Sequence, residues 1–158
     1  MVADLTQMES FLDAMRIPIR LACATESGWP MAVSLWFRYQ SGQLFCATQK
    51  TARVVAYLQN DARCAFEIAE DRPPYCGVRG QAIARIDEKT GAEILEKLLL
   101  RYLGNIDNTL ARKLLAKRES EVAIVLKPVQ VFTWDFSFRM RDVVSPMRDS
   151  AVKICPGS

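Results

Sequence analysis

The chain has 158 residues, half of them hydrophobic, with 21 basic against 18 acidic side chains and no histidine. That length suits one domain with a real core, since a chain of this size buries roughly two-thirds of its unfolded surface. A net charge of +3 excludes the one-sided basic excess of a nucleic-acid domain. The lack of histidine excludes Ser-His and Cys-His nucleophile pairs, the H-E-x-x-H zinc site and a proximal-histidine haem.

The N-terminus carries Asp4, Glu9 and Asp13, unlike the basic and then apolar start of a secretion signal. Thr6-Gln7-Met8-Glu9 fits a capping box, and Met8, Phe11, Leu12 and Met15 then repeat at helical spacing. Pro18 ends that helix. Residues 17–25 read as a strand, 26–30 as a turn, and 31–39 as a second strand rich in aromatic and branched residues. Gln40-Ser41-Gly42 is a hairpin turn, and 43–48 is a third strand.

A short helix is expected over 51–60, with Val54, Val55 and Leu58 inward. Residues 63–69 form a strand, and 70–76, holding Pro73-Pro74, a loop. A long strand runs over 77–87. An amphipathic helix follows over 88–102, built on Ile94, Leu95, Leu98 and Leu99 and closed by Gly104. Another spans 108–118, with Leu110, Leu114 and Leu115 inward. The last strands are 121–127 and 130–137, broken at Pro128. After Arg139 no period is visible.

Strands joined by tight turns pair antiparallel, and seven with few crossovers curl into a barrel. The fold class is therefore mainly β (α+β), a single domain over 1–158 with its core at about 17–139 and a tail at 140–158. Apolar runs such as Val122 to Leu126 fall far short of the ~20 residues of a membrane helix. Of the five cysteines, Cys23, Cys46 and Cys64 lie in apolar strands, where a thiol is a small hydrophobe. Neither the spacing nor the odd number suggests zinc. Free core thiols point to the cytoplasm.

No G-x-G-x-x-G or G-x-x-x-x-G-K-[ST] is present. The informative segment is Leu44 to Arg53, where a strand runs out at Thr48 and a helix opens within a few residues. A first helical turn offers unpaired N–H groups and partial positive charge, a natural phosphate seat. Thr48 and Thr51 add hydroxyls, and Lys50 and Arg53 add cations, Arg53 as a bidentate fork. The plainer alternative is that Thr51 caps the helix and both cations face water. In the neighbouring strand, Val33-Ser34-Leu35-Trp36-Phe37 offers backbone bonds and aromatic cover to a flat ring, although one of Trp36 and Phe37 must fill the core.

The run WPMAVSLWFRYQSGQLFCATQKTARVVAYLQNDARCAFEI, with PPYCGVRGQAIARI and VFTWDFSFR after it, resembles the pyridoxamine 5′-phosphate oxidase-like proteins, the FMN-binding split-barrel superfamily. The resemblance implies an antiparallel six- to seven-stranded split β-barrel with flanking helices, paired as a homodimer with FMN at the subunit interface. It implies that Val33 to Phe37 run along the flavin ring and that Thr48 and Arg53 bind the phosphate, with Gln49, Lys50 and Thr51 in the same turn. Arg79 and Gln81, or Trp134 of the other chain, would close over the ring.

Val54 follows Arg53 where many such proteins have Arg-Lys, and the substrate-holding arginine and histidine of true pyridoxamine phosphate oxidases are not apparent. The function implied is an FMN-binding oxidoreductase acting on an unknown small organic substrate, with no metal, no nucleic acid and no membrane partner. The alternatives are a non-catalytic flavin- or haem-binding module and a deazaflavin-dependent reductase.

Overall fold

The computed structural model describes residues 4–142; most of the tail expected at 140–158 lies outside them. Seven strands run β1 (Ile19–Ala24), β2 (Pro30–Leu35), β3 (Arg38–Gln40), β4 (Gln43–Gln49), β5 (Arg63–Ala69), β6 (Cys76–Asp87) and β7 (Glu121–Asp135). They form one sheet in the order β2-β1-β5-β6-β7-β4-β3, every pairing antiparallel. Four α-helices accompany it: α1 (Glu9–Ala14), α2 (Arg53–Asn60), α3 (Gly91–Leu103) and α4 (Thr109–Leu115).

β2 and β3 are the two edges of this sheet, yet only Trp36 and Phe37 separate them in the chain. The three peptide steps from Leu35 to Arg38 span at most about 11 Å. The edges must therefore come together, and the sheet curls into a barrel split along that seam. The single strand expected over 31–39 is thus two strands on opposite edges. The break falls where Phe37 turns into the core, 0% exposed.

The reverse correction applies to the last strands. Residues 121–135 form one strand, because Pro128 sits at a register shift. Gln81 pairs with Gln130 and Ala82 with Pro128, leaving Val129 as an extra residue. A bulge of this kind tolerates the N–H that proline lacks. Gly80 beside it has no room for a side chain, since a Cβ would meet the Gln130 carbonyl and lie 2.9 Å from the Phe66 ring.

One face of the curled sheet, with α1 and α2, encloses the main core of Leu12, Ile19, Leu21, Phe37, Leu44, Phe66, Ile68, Ile124 and Leu126. Cys23, Cys46 and Cys64 are free thiols buried in it. Burial pushes Cys46 up to about 12 and Cys64 up to about 11. On the other side of β4 and β7, α3 packs Ile94 and Leu98 against Ala123 and Val125. α4 contributes Ala111 to a neighbouring cluster with Leu95 and Leu99.

Local details differ from the sequence expectation. Asp4, not Thr6, caps the first turn, accepting from the Thr6 N–H at 3.0 Å, and that turn is a 3-10 helix over Leu5–Met8 before α1. α3 starts at Gly91 because Asp87 first accepts from the Lys89 N–H at 2.9 Å, holding residues 87–90 in a turn. Leu110, expected inward, is 48% exposed, and Ala111 takes its place. No helix among the described residues is long and apolar enough to cross a membrane.

Candidate functional site

β4 ends with Thr48 opposite Val122 and Gln49 opposite Glu121. Thr48 has the parity of buried Leu44 and Cys46, so it stands half-buried at the end of the barrel. The chain then turns. The Lys50 N–H donates to the Ser120 carbonyl at 2.8 Å, and the Ala52 N–H to the Gln49 carbonyl at 2.9 Å. Ala52 holds the N-cap position of α2 in extended conformation and provides no side-chain cap. Thr51 is exposed and does not cap the helix. Among the described residues, the Arg53 and Val54 N–H groups have no acceptor, and the exposed Arg53 guanidinium has no hydrogen bond or ion pair.

The turn is braced from behind. The Ser120 hydroxyl donates to Gln49 Oε1 at 2.8 Å, and Gln49 Nε2 donates to Glu121 Oε1. Glu121 is 5% exposed, and burial raises its carboxyl pKa against the opposing effect of the Gln49 bond. Lys50 is not a free cation: its Nζ lies 2.6 Å from Glu88 Oε2, with both side chains exposed. Such a pair contributes at most about 1 kcal/mol, little enough for a phosphate to compete.

The sheet face away from the barrel interior carries a second feature. Ser34, Arg20, Glu67, Arg79 and Phe132 stand opposite one another on β2, β1, β5, β6 and β7. The adjacent row is Ala32, Ala22, Ala65, Gln81 and Gln130. The alanines form a low floor, and a groove of about 410 Å³ lies over it, walled by Arg20, Glu67, Arg79, Gln81 and Phe132. Trp134, two residues past Phe132 and opposite Gly77, faces the same way. Its indole N–H is buried and has no hydrogen-bond partner among the described residues, and its ring meets Phe136 with centroids 5.1 Å apart.

Of the residues nominated from sequence, Ser34, Arg79, Gln81 and Trp134 share this outer face. Val33 and Leu35 face inward against the core. Trp36 stacks on Tyr102, and Phe37 is buried. Thr48, Gln49, Lys50, Thr51 and Arg53 make the corner. Within one chain the two features are separate: no residue of 48–53 lines the groove. Along β6, Asp87, next to Lys50's partner Glu88, is roughly 20 Å from Gln81 at the strand rise of about 3.3 Å per residue. Sequence reading missed Arg20, Glu67, Phe132 and the alanine floor. The alternation in Ile19-Arg20-Leu21-Ala22 marked an outward face, but only register shows which outward residues meet.

No protein-family model and no curated protein matches the chain. Solved structures do. A conserved hypothetical protein from Mycobacterium tuberculosis is 17% identical, with a TM-score of 0.73, over 95% of this chain and 94% of the other. An F420 reductase is 19% identical, with a TM-score of 0.67, over 78% and 94%. An FMN-binding protein from Syntrophomonas wolfei subsp. wolfei is 16% identical, with a TM-score of 0.60, over 82% and 84%. The chain therefore has the α+β antiparallel split-barrel fold of these proteins, the fold that the resemblance to pyridoxamine 5′-phosphate oxidase-like proteins implied.

Proposed function

We propose that this chain is a flavin-dependent oxidoreductase of a small organic molecule, working as a homodimer with FMN held between the copies. The observation that carries the reading is the uncapped start of α2, with free Arg53 and Val54 N–H groups beside an unpaired Arg53. Donors and a cation converging where no side chain satisfies them suit a phosphate. The groove over the alanine floor suits a flat ring, and the orphan Trp134 N–H supplies a donor at its margin. Because corner and groove are separate in one chain, a pair of copies in which one chain's corner meets the other's groove accounts for both.

In this reading bound FMN supplies the hydride chemistry. The chain's own residues bind and orient. Thr51 and Arg53 anchor the phosphate, and Arg79, Gln81 and Trp134, which share one outer face, border the ring from the other copy. No side-chain base is required, in keeping with a chain that has no histidine. FMN is preferred to a deazaflavin, whose longer acidic tail needs more cations near the groove than Lys50, Arg53 and Arg79 provide.

The test is a flavin titration followed by fluorescence, beside the absorbance spectrum of the purified protein and mass analysis of what denaturation releases. Arg53→Ala weakens FMN binding about tenfold or more, the loss of a charge-assisted bond on the order of 1.5–3 kcal/mol, with an unchanged unfolding curve. Equal affinity in the variant refutes the phosphate role.

A further inference from the structure

A second polar cavity lies where the end of α1, β3 and the last turns of α3 meet. It is open to solvent, with a volume of about 390 Å³, and its lining includes Asp13, Arg16, Arg38, Tyr39, Lys97 and Arg101. Four cations thus surround one space. The carboxylates near it are Asp13 in the lining and Glu93, which pairs with Lys97 one turn away on α3.

The way the arginines are held is informative. Arg101 donates from Nη2 to the Leu12 and Met15 carbonyls at 2.6 and 2.7 Å, and from Nη1 to the Asp13 carbonyl at 3.1 Å. Its guanidinium also sits 5.4 Å from the Phe37 ring centroid. Arg16 donates from Nε to the Arg101 carbonyl at 3.1 Å and from Nη1 to the Met15 carbonyl at 3.2 Å. Neutral carbonyls, not carboxylates, therefore fix two guanidiniums beside each other. The pKa of Arg101 falls, by burial first and then by the charge of Arg16, as expected of crowded like charges.

Closing the C-terminus of α1 explains Arg16 and Arg101, since its last carbonyls attract cations. It does not explain Arg38, which arrives from β3, or why Lys97 of α3 joins it here; Glu93 pairs with Lys97 and also feels the charge of Arg38, one carboxylate against two cations. Arg38 has no hydrogen bond or ion pair among the described residues, and the Nη2 of Arg16 has no acceptor there. Forked donors left over around an open cleft match the oxygens of phosphate.

We propose that this cavity binds a small, multiply charged oxyanion of the phosphomonoester or pyrophosphate class, with Arg16 and Arg38 bridging its oxygens and Lys97 as a point charge. The inference is independent of the flavin reading, because none of these residues belongs to the corner or the groove.

The test is calorimetric titration of the full chain with pyrophosphate at low salt, on wild type, Arg53→Ala and the double variant Arg38→Gln, Lys97→Gln. The expected result is saturable binding in wild type that survives Arg53→Ala and falls at least about tenfold in the double variant. It also weakens with added salt. Arg101 is left intact because it ties α1 to α3, and Arg38→Gln alone serves if the double variant does not fold. No binding at millimolar pyrophosphate, equal affinity in the Arg38 variants, or loss on Arg53→Ala alone each overturns the proposal.

Discussion

The indole of Trp36 lies parallel to the ring of Tyr102, with centroids 4.9 Å apart and planes 8° from coincident. The Tyr102 hydroxyl meanwhile accepts the Phe37 N–H at 3.2 Å. These contacts bind α3 to the two residues at which the barrel is split. They satisfy a backbone donor that neither edge strand can use, and the stack adds attraction beyond burial.

Tyr102→Phe removes the acceptor and keeps the stack, so it lowers stability by about 1–3 kcal/mol, the cost of an orphaned N–H. Tyr102→Ala also removes the ring and lowers stability by about 3–5 kcal/mol, on the scale of aromatic deletions in cores. Urea unfolding with unchanged slope checks both; an unchanged stability in Tyr102→Phe would show that the hydroxyl carries no separate role, and equal losses for the two variants that the stack carries none.

Gly91→Ala provides a test of sign. Alanine for glycine in a helix ordinarily stabilises by about 1 kcal/mol. Here a Cβ would collide with the Glu121 carbonyl and approach Val122 Cα to 2.6 Å. Backbone on both sides cannot yield cheaply, so the substitution lowers the melting temperature, and a rise would refute the packing of α3 on β7.

Glu88→Gln releases Lys50 from its 2.6 Å partner and removes a negative charge beside the corner. If phosphate binds there, FMN affinity rises, by a few-fold at low salt, and the gain shrinks as salt screens it. Fluorescence titration at two ionic strengths reads both. A fall in affinity places the anion elsewhere.

Glu121→Gln tests the buried carboxyl behind the corner. Burial raises its pKa above the ordinary 4.5, so the folded state holds the proton more tightly than the unfolded chain. The stability this contributes is complete below the unfolded value and is lost as pH rises through the folded one. Glutamine imitates the protonated form and keeps an acceptor for Gln49. The variant is therefore more stable than wild type at pH 7, and the difference disappears in acid. Parallel urea midpoints across that range would rule out a raised carboxyl.

Much was readable from the sequence because it is written in short-range periodicity. Alternation in Ile19-Arg20-Leu21 and helical spacing in Ile94, Leu95, Leu98 and Leu99 report which side of one element is dry, and burial follows them. The turn from Thr48 into α2 was equally local, a strand end meeting a helix start. What the tertiary structure alone decided is long-range. The aromatic and branched stretch over 31–39 holds no mark that its halves belong to opposite edges of a sheet, and a proline at 128 does not announce a bulge rather than an end. The row Arg20-Glu67-Arg79-Phe132, the engagement of Lys50 by Glu88 and the gathering of Arg16, Arg38, Lys97 and Arg101 join residues far apart in the chain. Their meeting depends on register and barrel closure, and no local propensity encodes either one.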